Sequence, residues 1–176
     1  MGTLRDDIRF FINMTINSKN QSYDVVVLGA GAAGLFCAMR AGQRGRKVLL
    51  VDHAETAGAK ILISGGGRCN FTNLHIAHDR YLSENPHFCK SALKSYTQHD
   101  FIALVEKHKI AYHEKTLGQL FCDGSAQQII DMLMAECRAA KVEFRFNCNV
   151  SSVTKPDAFH IKTQKDTIEA RALVLA

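Results

Sequence analysis

Three glycines near Leu28 have the spacing of a nucleotide-binding turn. They are Gly29, Gly31 and Gly34, and they follow directly on an apolar run. In such a turn the first glycine permits the bend, the second lets the backbone approach a diphosphate, and the third lets the next helix press against the strand. Asp52 follows about 20 residues later, where a carboxylate can accept hydrogen bonds from ribose hydroxyls. This combination predicts a dinucleotide site in which the diphosphate faces helix amides.

The elements on either side of these glycines must position them. Tyr23 to Leu28 is a β-branched apolar run that predicts a strand, and Leu35 to Gln43 has helical spacing. Val48 to Val51 predicts a second strand, which completes a βαβ unit of about thirty residues. A parallel sheet and an α/β fold follow from that unit. An acidic residue at position 52 disfavours a 2′-phosphate, so the sequence favours FAD or NAD over NADP.

A second glycine-rich segment, predicted to be a loop, runs from Gly58 to Asn73. It contains three successive glycines, 65 to 67, whose amides can form an anion-binding nest, while Lys60 and Arg68 supply positive charge. Backbone amides and cationic side chains together are suited to bind a diphosphate and the edge of a ring. Cys69 has no second cysteine near it in the sequence, so we interpret it as a small residue lining the site and not as half of a redox disulfide.

The remaining sequence predicts two helical regions and several short strands. Helical spacing returns between His87 and Lys109 with Thr97 as an N-cap, and Ser125 is expected to cap a helix that ends near Lys141. Strand-like runs follow at 143–146, 150–153, 159–163, 167–170 and 173–176.

The composition excludes several classes of protein. The chain has 176 residues, 47% hydrophobic and 22% charged, which is typical of a globular domain and not of a disordered one. A net charge of +5 does not indicate a dedicated nucleic-acid binder, although the basic cluster from Arg40 to Lys47 leaves RNA binding open as an alternative. The six cysteines lack metal-binding spacing, and no signal peptide or membrane span is indicated, so we expect free thiols, no metal and a cytoplasmic protein.

Two longer patterns connect the chain with known flavoproteins. The spacing from Gly34 through Gly45 to Asp52 resembles the adenosine-binding half of flavoproteins with two dinucleotide-binding domains, which favours FAD over NAD. The run from Lys60 to Asn73, together with Gln119-Leu120-Phe121 and Ser125-Ala126, resembles the BaiN/RdsA (YhiN-like) family of FAD/NAD(P)-dependent oxidoreductases. The resemblance covers about Tyr23 to Ala176. Family members usually read Arg-Val-Phe-Pro where this chain has Gln119 to Cys122, and they are about twice as long.

The resemblance implies a fold, a cofactor and a division of the chain. The expected fold is a Rossmann-like FAD-binding domain with a parallel sheet over residues 21–176, a helical insertion at about 75–118, additional small β-strands, and a leader at 1–20. The substrate domain of the family would follow beyond this chain. The implied cofactor-binding residues are Gly29, Gly31, Ala32, Ala33, Gly34, Asp52, His53, Lys60, Ser64, Gly65, Gly66, Gly67, Arg68, Cys69, Asn70 and, where the adenine rests on a later strand, Val150.

The resemblance also implies an activity. NAD(P)H would reduce the bound FAD, and the reduced flavin would deliver hydride to a conjugated C=C bond of a small molecule, such as a steroid-like enone, or of a uridine base in RNA. No catalytic residue is predicted, because the groups that protonate the substrate would lie mostly beyond this chain. The alternatives are a noncatalytic nucleotide-binding fragment and an NAD-only dehydrogenase.

Overall fold

A computed structural model describes residues 21–176, and the predicted leader at 1–20 lies outside the described residues. Strands and helices alternate along the first half of this region, and short strands dominate the end. The strands are β1 (Gln21–Leu28), β2 (Val48–Val51), β3 (Asn70–Asn73), β4 (Tyr112–Glu114), β5 (Gln119–Cys122), β6 (Glu143–Arg145), β7 (Val150–Thr154), β8 (Phe159–Thr163) and β9 (Thr167–Leu175). The α-helices are α1 (Ala32–Gln43), α2 (Ala59–Ile63), α3 (Lys90–Ser95), α4 (Gln98–Lys107) and α5 (Gln127–Ala139), with 3-10 turns at Ser64–Gly67 and His78–Arg80.

The main sheet has six strands in the order β6-β2-β1-β9-β8-β7. The strands β6, β2, β1 and β9 run parallel, whereas β8 and β7 form an antiparallel extension at one edge. All four residues of β2 are buried, as expected for a parallel strand covered on both faces. Val48 and Leu50 pack into the core beneath α1 and α5, and Leu49 and Val51 pack into a second core on the other face. The prediction of an α/β fold with a parallel sheet is confirmed.

A smaller antiparallel sheet, ordered β3-β5-β4, lies apart from the main sheet in the hydrogen-bonding pattern. One of its residues, Phe71 on β3, contacts Phe101 of α4 and Tyr112 of β4 through their rings. Helix α4 begins with a capping box, in which the Thr97 hydroxyl accepts from the Asp100 N–H and the Asp100 carboxylate accepts from the Thr97 N–H. The prediction of Thr97 as a helix N-cap is therefore confirmed.

Helix α4 is attached to α5 by an ion pair between the buried Glu136 and the mostly exposed Lys107, with His108 as a second partner. Glu136 on α5 is only 9% exposed, and its carboxylate accepts hydrogen bonds from Lys107 and His108, each at 2.7 Å. These partners hold the pKa of the Glu136 carboxyl below its usual range, with the Lys107 contact as the larger cause. The charged form of Glu136 therefore stabilises the packing of α4 on α5.

The structure corrects three details of the sequence prediction. The segment from Gly58 to Asn73 is not a continuous loop: it contains α2, a 3-10 turn and β3, and β3 forms because it pairs with the distant strand β5. The two runs predicted at 167–170 and 173–176 are one strand, β9, because it pairs with β1 from Gln21 to Leu28. Helix α5 begins at Gln127, whose N–H donates to the Ser125 hydroxyl at 3.1 Å, so Ser125 makes the expected kind of contact from two residues before the helix.

None of the helices between residues 21 and 176 is both long and apolar enough to cross a membrane.

Candidate functional site

A cavity of about 1320 Å³ opens at the carboxyl ends of β1 and β2. Leu28 and Val51, the last residues of these strands, lie on its wall, and so do the first residues of α1. Ligands of open α/β sheets bind at this position, outside the carboxyl ends of the strands. The volume exceeds the 300–1,000 Å³ that is usual for small-ligand pockets. The cavity therefore has room for an extended ligand.

The first and third glycines of the turn are required by close contacts within the fold. Gly29 has φ +109, and a Cβ there would overlap the carbonyl oxygen of Ala176. Gly34 is buried at the start of α1, and a Cβ there would overlap the carbonyl oxygen of Gly29. Any side chain at Gly34 would push the helix away from the strand, which is the packing role expected of the third glycine.

The second glycine, Gly31, faces open space. A Cβ on Gly31 would have no neighbour within 4 Å, and the residue has φ −76 and ψ −172, which other residues also adopt. Nothing inside the protein therefore requires glycine here. Glycine leaves this backbone open to a group that approaches from the cavity, an approach that a side chain would occupy.

The N-terminus of α1 offers backbone donors to the cavity. Gly31 is the N-cap residue, no side chain caps the helix, and its first turn contains no acidic residue. Ala32 and Ala33 are exposed and lie on the cavity wall. The first N–H groups of a helix lack acceptors within the helix, and the helix dipole adds positive potential there. This end of α1 fits an anion such as a diphosphate.

Asp52 holds the turn and the segment after β2 together. Its Oδ2 accepts from the Ala30 N–H at 2.5 Å, its Oδ1 accepts from the Ala54 N–H at 2.8 Å, and His53 Nδ1 lies 3.3 Å from Oδ1. The side chain is 13% exposed and forms part of the cavity wall. A carboxylate has about four lone-pair positions, so these contacts leave capacity for ribose hydroxyls.

The predicted cofactor-binding residues divide into two groups by position. Those on the cavity wall are Gly29, Gly31, Ala32, Ala33, Asp52, His53, Lys60, Ser64, Cys69, Asn70 and Val150. Those outside the wall are Gly34, Gly65, Gly66, Gly67 and Arg68. The first group brings together parts of the sequence that are separated by up to about 120 residues, from the glycine turn to β7.

The glycine triplet is a left-handed turn fastened to its neighbours. Gly65, Gly66 and Gly67 have φ values of +58, +68 and +82, a conformation that strongly favours glycine. This differs from the alternating right- and left-handed backbone of the predicted anion nest. The Gly67 carbonyl accepts from the Ala126 N–H at 2.7 Å, and a Cβ on Gly65 would lie 2.7 Å from the ring of Phe121. The triplet thus fits closely against β5 and the start of α5.

Cys69 lies near a second thiol that is distant from it in the sequence. Cys122 on β5 lies close enough for the two thiols to interact electrostatically, and its N–H donates to the Arg68 carbonyl at 2.9 Å. Burial raises the pKa of the Cys69 thiol, and burial raises that of Cys122 to about 11. Both cysteines are free and protonated at neutral pH. The neighbour appears only after β3 pairs with β5, a contact that sequence distance cannot reveal.

The sequence analysis also missed an aromatic side of the cavity. This part of the wall, which we call the aromatic annex, consists of Phe36, Phe71, Leu93, Tyr96 and Phe101. Their spacing indicates helix and strand packing, and nothing in it points to a ligand. The annex forms because the end of α3 lies beside α1: Tyr96 directly follows α3, and its ring and the Phe36 ring are 4.7 Å apart between centroids.

Within residues 21–176 the structure contains no group of three or more His, Cys, Asp or Glu side chains arranged to hold a metal ion.

A comparison with known protein families agrees with the fold and the position of the cavity. The profile of the HI0933-like protein Rossmann domain matches residues 23–176. The chain belongs to the HI0933-like family. Ribosomal RNA dihydrouridine synthase of Escherichia coli (strain K12) is 57% identical over 157 residues, which cover 89% of this chain and 39% of that protein. The resemblance drawn from the sequence, and the Rossmann-like fold that it implied, are confirmed.

Two more distant proteins extend this comparison. The 3-dehydro-bile acid delta(4,6)-reductase of Clostridium scindens is 26% identical over 155 residues, 85% of this chain and 37% of that protein. The solved structure of a 3-ketosteroid-delta4-(5alpha)-dehydrogenase from Rhodococcus jostii RHA1 matches with a TM-score of 0.63 and 15% identity, over 93% of this chain and 47% of that one. The second likeness shows a shared fold. The HI0933-like chain spans about two fifths of the length of these two curated relatives.

Proposed function

We propose that this chain is the FAD-binding portion of an oxidoreductase that reduces a C=C bond of a uridine base in RNA, with NAD(P)H as the electron donor. The main observation that supports FAD binding is the open space around Gly31 beside the uncapped N-terminus of α1. An extended dinucleotide needs a place where its diphosphate can meet backbone amides, and this position supplies one.

The wall residues on either side of Gly31 support an extended cofactor. His53 and Val150 lie on the wall with Asp52, in the part of the cavity where an adenosine half would rest. Lys60, Ser64 and Asn70 lie on the wall along the glycine-rich segment and would contact the rest of the cofactor. In this assignment the chain binds and orients FAD, and Asp52 keeps the turn in place while it accepts from the ribose.

The proposed chemistry belongs mainly to the cofactor. Bound FAD supplies two-electron transfer, so that a hydride from NAD(P)H and a proton from solvent are added in sum to the two carbons of a conjugated C=C bond. The role of this chain is to hold the cofactor with its reactive part directed toward the substrate. The uridine substrate is favoured over a steroid-like enone because the relative named for ribosomal RNA is 57% identical, whereas the relative named for a bile acid is 26% identical.

The cofactor can be tested by recording the visible absorbance of the purified chain before and after addition of FAD. The expected result is a flavin spectrum with one FAD per chain, released on heating and reducible by NADH or NADPH. A colourless folded chain that binds NAD and rejects FAD would favour an NAD-only dehydrogenase. A folded chain that binds neither would overturn the proposal that these residues hold the cofactor.

The substrate can be tested with the FAD-loaded chain, NADH or NADPH as the reductant, and a uridine-containing RNA under single-turnover conditions. Dihydrouridine, measured by mass spectrometry after nuclease digestion, is the expected product. If FAD binds and the RNA stays unmodified while a steroid-like enone is reduced, the substrate assignment is wrong and the cofactor assignment stands. If FAD binds and neither is reduced, this chain is a binding domain without activity of its own.

A further inference from the structure

The aromatic annex lies beside the glycine turn on the wall of the same cavity. Its residues come from α1, β3 and the α3–α4 region, and they lie on the same continuous cavity as Gly31 and Asp52. Phe36 and Tyr96 are both half-buried, so their rings remain accessible from the cavity. Aromatic side chains at the wall of an open cavity can receive a planar ring, since every nucleobase offers a π-face for such contacts.

A basic ridge leads from this annex to the outer surface. Phe36, Arg40 and Arg44 follow one another at intervals of four residues, so they lie along one face of α1 and its C-terminal cap. The Arg40 guanidinium lies 5.8 Å from the centre of the Tyr96 ring, and both arginines are exposed. We call Phe36, Arg40 and Arg44 the α1 ridge. The α1 ridge thus places two positive charges within three helical turns of the aromatic annex.

Two acidic groups lie near Tyr96. Asp100 and Glu136 are the carboxylates whose charges act on the Tyr96 hydroxyl. Asp100 is held in the capping box with Thr97, and Glu136 accepts from two basic side chains of the α4 terminus. Asp100 keeps its negative charge and faces Arg40, whereas Glu136 is paired with Lys107 and His108. Two arginines against one exposed carboxylate leave the α1 ridge net positive. Cations near a helix C-terminus also complement the helix dipole, but that role does not account for the contact of Arg40 with an aromatic cavity residue.

We propose that the α1 ridge and Tyr96 bind a single-stranded segment of RNA and admit one of its pyrimidine bases to the cavity. This inference rests on the proposed function for the choice of RNA as the ligand. Arg40 and Arg44 bind phosphates of the strand, and Phe36 and Tyr96 pack against the base. Recognition of single-stranded RNA by aromatic and arginine side chains has this general form. The charge distinguishes this ligand from an uncharged steroid, which gains nothing from the two arginines.

The test measures binding of a fluorescent oligouridylate of about ten nucleotides, within the usual site size of single-strand binders, to the FAD-loaded chain over a range of salt concentrations. Arg40→Ala and Arg44→Ala are each expected to reduce the slope of log K against log salt by about 0.7, the value for one phosphate contact on a single strand. Lys162→Ala is the matched control, because Lys162 is exposed on β8 and outside the cavity wall. It is expected to leave affinity and slope unchanged.

Tyr96 provides the second part of the test. Tyr96→Ala is expected to weaken oligouridylate binding about 5- to 150-fold, the range for loss of one aromatic contact with a base. Tyr96→Phe keeps the ring and is expected to retain most of the affinity. Circular dichroism and the FAD content of each variant show whether the fold and cofactor site are intact.

Three results would overturn the inference. One is an equal loss of binding in Lys162→Ala, which would indicate nonspecific attraction. Another is a Tyr96→Ala chain that no longer binds FAD but still binds RNA, which would show that the annex holds the cofactor. The third is binding of a steroid-like enone that depends on Tyr96 while RNA binding does not. A chain that binds oligouridylate through Arg40 and Tyr96 and takes up no FAD would refute the proposed cofactor and leave the RNA surface standing.

Discussion

Gly31→Ala is expected to weaken FAD binding and leave the stability of the fold nearly unchanged. The backbone at Gly31 suits any residue, and an added Cβ meets no atom of the protein within 4 Å. Two small effects on stability then oppose each other. Alanine restricts the unfolded chain and stabilises by about 0.4–1 kcal/mol, whereas alanine is a poorer N-cap than glycine by a similar amount. We expect the free energy of unfolding to change by less than about 0.5 kcal/mol.

The same methyl group would strongly affect FAD. It occupies the approach to the α1 amides, and one extra carbon in a close-packed contact costs about 1–3 kcal/mol, or about 5- to 150-fold in Kd. Quenching of FAD fluorescence gives the Kd, and urea unfolding followed by circular dichroism gives the stability. Gly34→Ala is the matched comparison: its Cβ overlaps the Gly29 carbonyl, so it should lower the free energy of unfolding by about 1–3 kcal/mol or more. An unchanged Kd in a stably folded Gly31→Ala chain would refute the placement of the diphosphate.

Three further predictions concern the stability and reactivity of the described region. Glu136→Gln should lower the free energy of unfolding at neutral pH by about 1–3 kcal/mol, while Asp131→Asn on the same helix should have little effect. Because the pKa of Glu136 is lowered in the folded state, its contribution is present above its usual value of 4.5 and is lost as the pH falls further, so urea midpoints of wild type and variant should converge in acid. Cys37 is half-buried and should react first with a thiol reagent at pH 8. Cys122 is buried and its pKa is raised to about 11, so it should react only after unfolding. Rapid labelling of Cys122 in the folded chain would contradict its burial. Thr97→Ala should cost about 1 kcal/mol through loss of the helix cap, and Thr97→Ser should restore it, as measured by thermal unfolding.

Local sequence patterns predicted the elements whose residues contact near neighbours in the chain. The βαβ unit could be predicted because β1, the glycine turn and β2 each have a characteristic residue pattern, and the Thr97 cap because it needs only Asp100 three residues away. The strand β3 could not, since four polar and aromatic residues become a strand only by pairing with β5, almost fifty residues later.

The candidate site divides in the same way. Gly31 and Asp52 could be found because a phosphate-binding turn needs glycine at fixed positions and a carboxylate at the next strand. Phe36 and Tyr96 could not, because an aromatic residue on an amphipathic helix is usually part of the core. Their shared position on the cavity wall depends on how the end of α3 lies against α1, which helical periodicity does not specify.

The central position of β1 has a consequence for how the chain folds. β1 is flanked on one side by β2, which follows it closely in sequence, and on the other by β9, with Gln21 and Ile168 paired across about 150 residues. During synthesis, β1 and β2 can pair early, but one edge of β1 stays open until β9 has emerged. Long-range parallel pairing is slow, and an open apolar strand edge is prone to aggregation. We therefore expect folding to be limited by the arrival of β9, and substitutions that weaken β9 to reduce soluble yield more than their effect on equilibrium stability.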